Sequence, residues 1–197
     1  MDENGNVIAS ASRANDLIIP DSNSAEQDAN IWWQNVVEIL REITNKAGNK
    51  LVQKIKGISV SSQTVTMLPV DKNGTPLRNA IIWMDMRSKA QLQYIIDQIG
   101  FDRYVSMIGG QPDTGFLPNK ILWFKENEPE LFSKTHKILQ VSSYINYKLT
   151  GKMTMDIDQA GKSQCLDIST LQWSDEIGQV IGVDLNQLLP KPQAITD

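Results

Sequence analysis

The chain has 197 residues, 41% of them hydrophobic and 21% charged, with a formal net charge of −4, which is the composition of an ordinary globular protein of one domain or one and a half. The acidic balance argues against a nucleic-acid partner, and no apolar run approaches the ~18 residues of a membrane span. A lone cysteine, Cys165, excludes an internal disulfide and fits a reducing, cytoplasmic setting, and a lone histidine, His136, leaves no His-based metal cluster or Ser-His dyad to argue for.

The N-terminus shows no basic flank ahead of an apolar core, so no secretory signal is expected. Asp2-Glu3-Asn4-Gly5 is a turn pattern, and Asn6 to Ala11 reads as the strand leaving it. The strand that should enter this turn is missing, which suggests that the beginning of a domain lies outside the chain; the plainer reading is a frayed polar terminus. After a polar loop, Ser24-x-x-Gln27 matches a capping box. Trp33, Val36, Val37, Leu40 and Ile43 then share one helical face, and Gly48 is the stop. Ile55 to Val60 reads as a strand and Val65 to Val70 as a second extended run, which Pro69 makes an edge or irregular one. A turn at Asp71 to Gly74 and an extended segment to Trp83 complete a β-rich middle.

Ser88-x-x-Gln91 is a second capping-box match, followed by Leu92, Ile95, Ile96 and Ile99 at helical spacing and by Gly100. Gly109 to Gly115 is loop. Pro118 opens a helix that Lys120 to Glu126 continue until Pro129, with Lys120 read as a surface charge. Ile138 to Val141 is a short strand. Ser142 or Ser143 caps a helix that carries Tyr144, Ile145 and Leu149 and ends at Gly151. Thr154 to Asp167 is polar and reads as extended or looped, its Asp156, Asp158 and Asp167 being solvated acids. Ser174 caps a last helix with Ile177, Val180 and Ile181, closed by Gly182. Leu188-Leu189-Pro190 leads to a tail with no further element. Strands alternate with helices, so the class is α/β.

Within this order the stretch Ala80-Ile81-Ile82-Trp83-Met84-Asp85-Met86-Arg87 stands out. A β-prone run delivers an indole, a carboxylate and a guanidinium to its carboxyl end, one way to build a wall of a small-molecule pocket. The alternative is a packing tryptophan beside a structural Asp–Arg pair.

The middle of the chain resembles the N-terminal domain of the FGGY carbohydrate kinases. The resemblance is carried by Gly57-Ile58-Ser59-Val60-Ser61-Ser62-Gln63, Val70-Asp71 to Leu77-Arg78, Ala80 to Arg87, Gly115-Phe116, Pro118 to Trp123, Glu128-Pro129-Glu130-Leu131-Phe132, Ser143 to Gly151 and Asp167 to Ser174. Xylulokinase-like members are the most similar. The resemblance implies an actin-like, ribonuclease-H-like N-terminal domain over residues 1–197 that lacks its first strand or strands and the C-terminal ATP domain. It implies that the chain is part of an enzyme moving the γ-phosphoryl group of ATP to a hydroxyl of a sugar or polyol, with a xylulose-like ketose favoured, and that ATP and Mg2+ are cofactors of the full-length protein only. A homodimer of that full-length protein is compatible with it.

Carried over residue by residue, the resemblance makes Trp83 the aromatic that faces the substrate. It puts Gln63, Thr64 and Val65 at substrate-contacting positions, Phe116 near the pocket, and Asp85 either on the substrate or in a structural pair with Arg87. Thr64-Val65 replaces the more polar pair of xylulokinases and glycerol kinases, so the usual substrates do not transfer directly. The Asp-x-Gly-Thr turn is expected before Met1, and the catalytic aspartate, in a Gly-Gly-x-Asp segment, beyond Asp197. The chain alone is therefore expected to be catalytically incompetent; the alternative function is a non-catalytic sugar-binding or regulatory module derived from such a kinase.

Overall fold

The computed structural model describes residues 1–194. Asp2 to Gly5 form the expected turn: Asp2 Oδ1 accepts the amides of Asn4 and Asn6, and Gly5 takes a φ of 83°. The run that leaves it is not a strand. Val7 and Ile8 are exposed, and backbone pairing begins only where Ile18 and Glu26 exchange hydrogen bonds. β1 (Glu26–Gln27) follows directly, then α1 (Ala29–Ala47). The capping box at Ser24 does not form, because Ser24 leads into a paired segment and its hydroxyl donates to Asp21. Asp28 caps α1 instead, accepting from Asn30 N, and Gly48 ends it with a φ of 76°.

After the short α2 (Asn49–Val52), the expected strand Ile55–Val60 is absent as a paired element. Ile58 is 62% exposed. No described segment lies alongside it in a ladder, and an extended run without a partner is no strand whatever its propensity. β2 (Leu68–Val70) does form. The turn after it is as expected, with Asp71 Oδ1 accepting from Asn73 N and Thr75 N. Gly74, at a φ of 73°, packs against the Tyr147 ring so closely that a Cβ would overlap it.

β3 (Ala80–Ile81) is followed by α3 (Lys89–Ile99), which Gly100 stops as expected, and by α4 (Phe101–Ile108), which no motif announces. α5 (Leu117–Asn127) ends ahead of Pro129, and α6 (Pro129–Lys134) adds one more turn or so. β4 (Lys137–Leu139) and α7 (Val141–Thr150) match expectation except at the cap, where Gln140 occupies the position and Ser142 and Ser143 lie buried inside the first turn. The segment read as extended or looped holds β5 (Met155–Asp156) and β6 (Leu166–Asp167), with an unexpected helix, α8 (Ile157–Lys162), between them. β7 (Gln172–Trp173) precedes α9 (Asp175–Ile181), which Ser174 caps through Ile177 N. The tail read as featureless carries α10 (Leu185–Leu188) and β8 (Pro192–Gln193), the latter pairing in parallel with β5.

β1 pairs antiparallel with β3 and β2 with β4, and a single Met67–Ile81 bridge joins the two pairs. Pro69 explains why that junction is only a bridge: two residues beyond Met67, it has no N–H to continue the ladder toward β3. Side chains alternate across this small sheet. Met67, Ile81 and Ile138 enter one core with Ile95, Tyr104, Ile121, Phe124 and Ile177, whereas Leu68, Val70, Ala80 and Leu139 enter a second with Trp32, Tyr144 and Ile145. Helices thus cover both faces of the sheet, which is the α/β arrangement expected. Among the described residues no helix is long and apolar enough to cross a membrane.

Candidate functional site

The antiparallel Met67–Ile81 bridge sets the site's geometry. Tracing back from Met67 to Val65 and forward from Ile81 to Trp83, the chain leaves the sheet twice at the same end. Val65 there adopts a φ of 53°, a left-handed conformation disfavoured for a β-branched residue. Its N–H donates to Gln140 Oε1 at 2.8 Å, and its carbonyl accepts from Lys120 Nζ at 2.8 Å. The same Nζ donates to the Ile82 carbonyl, also at 2.8 Å. Lys120, read from sequence as a surface charge, is 0% exposed. It lies in the first turn of α5, which the core packs against the sheet, and burial pushes its ammonium down to about 7 from its ordinary 10.5.

Past Ile82 the chain turns, Asp85 N donating to the Ile82 carbonyl. The turn leaves Trp83 54% exposed, with Met84 and Met86 exposed beside it. Asp85 is fully buried. It accepts from Ala25 N at 2.6 Å, and both its oxygens take Arg87 Nε at 2.9 Å. Arg87 reaches on to Glu26 at 2.7 Å, and Arg78 bonds both Glu26 and Glu128. Both guanidiniums lie over the Trp123 ring, at 4.9 and 5.8 Å from its centroid. Burial pulls the Arg87 guanidinium down, but its bonds to Asp85 and Glu26 outweigh that and leave it raised. Of the two roles left open for Asp85, the geometry is that of the structural pair: the carboxylate has no exposed surface and fixes the turn beneath Trp83.

A third segment closes on this turn. Asp113 Oδ1 accepts from Gly115 N, and the Thr114 carbonyl accepts from Ser88 Oγ and Asn119 Nδ2. That contact, not a capping box, is what Ser88 does at the start of α3. Thr114 Oγ1 meets Met86 Sδ at 2.8 Å, and a Cβ on Gly115 would stand 2.8 Å from the Trp83 carbonyl, so only glycine permits this approach. Phe116, half-buried, occupies the cap position of α5. The segments of Val65, Trp83 and Phe116 therefore meet, with Lys120 beneath them.

Gln63 and Thr64 are placed differently. Gln63 Nε2 donates to Gln27 Oε1 at 2.8 Å, and Trp32 Nε1 shares that acceptor at 3.3 Å. Gln63 lines an open cavity of about 410 Å³ between α1, α7 and residues 58–63, which Trp83 and Phe116 do not line. Thr64 is half-buried. The Val65 side chain is only 7% exposed, so this position offers backbone rather than a side-chain face. Lys120, read as a surface charge, and Gln140 and Asp113, given no role, are the neighbours that sequence reasoning missed. The first two carried no signal, since their burial is tertiary; the Asp-Thr-Gly turn at Asp113 was the available hint.

Acid groups elsewhere have local tasks. Asp156 caps α8 through Gln159 N, Asp158 pairs with Lys162, and Asp167 accepts from Ser169. Among the described residues no group of three or more His, Cys, Asp or Glu side chains could hold a metal ion.

The model of the FGGY family of carbohydrate kinases, N-terminal domain, matches residues 1–194. The chain belongs to this family. It is 32% identical over 197 residues to a xylulose kinase of Lactococcus lactis, covering 100% of this chain and 39% of that protein. Ligand-bound xylulose kinase from Lactobacillus acidophilus superposes with a TM-score of 0.86 at 28% identity, over 100% of this chain and 39% of the other. Gluconate kinase from the same organism gives 0.85 at 28% identity, over 99% and 39%. The α/β unit is therefore the N-terminal domain fold of these actin-like sugar kinases, and the chain spans about 39% of the length of the relatives it matches.

Proposed function

We propose that the chain supplies the sugar-binding wall of an ATP-dependent carbohydrate kinase, with a xylulose-like ketose as the favoured substrate. The observation that carries this reading is Trp83: a large indole, more than half exposed, on a turn anchored from below by Asp85, Arg87 and Lys120. A solvent-facing aromatic on rigid backbone offers its face to the C–H side of a sugar ring or chain, leaving hydroxyls to bond elsewhere. Phe116 and Asp113 lie on the adjoining segment, and the Thr64 hydroxyl is a polar group on the other. Family membership and the xylulose kinase relatives support the reaction class: transfer of the γ-phosphoryl group of ATP, assisted by Mg2+, to a hydroxyl held at this wall. The lone, buried Cys165 accords with a cytoplasmic setting.

Calorimetric titration of the chain with D-xylulose, D-gluconate, L-fuculose and glycerol tests the reading. Saturable binding of a ketose, stronger than that of glycerol, is expected. Absence of binding by every member of the panel would overturn it.

A further inference from the structure

A left-handed backbone at a β-branched residue persists only where its surroundings over-determine it. At Val65 two buried side chains do so: Gln140 takes the N–H and Lys120 holds the carbonyl. Gln140 is itself fixed by a bond from Nε2 to the Gln159 carbonyl. Lys120 alone reaches both sides of the site, because its second bond goes to the Ile82 carbonyl, in the peptide that precedes Trp83. The two segments have by then left the last ladder bond at Met67–Ile81. The lysine makes this link at a cost. It is fully buried, and no carboxylate forms an ion pair with it among the described residues. Lysine is among the residues least often buried without a partner. Methionine would fill much of the same space without that penalty, but it has no hydrogens to donate to two carbonyls.

We propose that Lys120 is a positioning residue, which by binding the carbonyls of Val65 and Ile82 together sets the separation between the Thr64–Val65 bend and Trp83, and with it the width of the sugar-facing wall. The proposal rests on the reading of Trp83 given above and adds the group that holds its two sides in register.

Lys120→Met tests it, with hydrogen exchange and xylulose affinity read on the same protein. The variant is expected to keep the slow exchange of the β2 and β4 amides. Residues 64–66 and 83–85 should exchange at least roughly tenfold faster, and affinity should fall on the order of tenfold to a hundredfold, as for other misplacements of a binding group. A second measurement uses the unaltered chain labelled with 15N-lysine. One Nζ signal should show hydrogens that exchange slowly with water, and if the variant does not fold, this signal decides alone. The proposal is overturned if both segments exchange as before, if only one loosens, or if all lysine Nζ groups exchange like free lysine. It is also overturned if the segments loosen while xylulose binds as tightly as before. If the segments loosen and the unaltered chain binds no sugar, the clamp stands and the reading of Trp83 falls.

Discussion

The backbone before Ser61 and the backbone just after Gln63 are held in different ways. Residues 65–70 are all buried, with β4 on one flank, the Met67–Ile81 bridge on the other, and Gln140 and Lys120 at their N-terminal end. Residues 55–59 carry isoleucines of the same β-propensity, yet they are exposed and unpaired among the described residues. The difference teaches that a strand here is made by a partner that takes both the side chains and the backbone hydrogen bonds, with propensity only permitting it. The site is built on the side of this divide where partners are present, so its geometry is inherited from a packed sheet.

Paired substitutions sharpen the contrast. Ile81→Ala removes a fully buried side chain from β3 and is expected to cost about 2–5 kcal/mol in urea unfolding. Ile58→Ala, at an exposed position, should stay within about 0.5 kcal/mol. Equal costs would mean that residues 55–60 are packed after all. The same logic applies to charge. Glu26→Gln leaves Arg78 and Arg87 short of a buried partner and should cost roughly 3 kcal/mol, less if Glu128 and Asp85 compensate. Glu176→Gln breaks the exposed pair with Arg103 and should cost less than about 1 kcal/mol. Thermal unfolding of both variants compares the two pairs directly.

Lys120 gives a pH-dependent version of the comparison. Asp85 and Asp113 favour its charged form and Arg87 opposes it, but burial dominates and lowers its value to about 7 in the folded chain, against an ordinary 10.5. Between these values the unfolded chain binds the extra proton, so the contribution of Lys120 to stability rises with pH. The unfolding free energy of the unaltered chain minus that of Lys120→Met should therefore increase across this window, by at most about 1.4 kcal/mol per pH unit. A flat or falling difference would show that Lys120 stays charged on folding. Taking the difference removes the opposing effect of Cys165, whose thiol burial pushes up to about 12.

Much of this fold is legible in the sequence where local chemistry and packing agree. Gly48, Gly100, Gly151 and Gly182 end helices with positive φ, and Ser174 caps α9 as its spacing suggests. The capping-box matches at Ser24 and Ser88 fail because other partners, the nearby Asp21 in one case and the distant Thr114 and Asn119 in the other, engage the hydroxyls. α8 is too short to show a helical period and contains Gly161, so its segment reads as extended or looped. At the site, Trp83 and its turn stand out as a strand end carrying an aromatic, whereas Lys120 does not. A lysine one turn into a helix looks solvated unless the sheet beneath it is known.

Trp83 combines an exposed indole with a backbone anchored from below. Trp83→Ala should change the melting temperature little, since the indole is largely outside the core. Titrating xylulose into this variant and into the unaltered chain is the most direct measurement. Affinity is expected to fall at least roughly tenfold while the melting temperature moves by no more than about 2 °C. Unchanged affinity, or a collapse of the fold in its place, would contradict the claim that this indole faces a sugar.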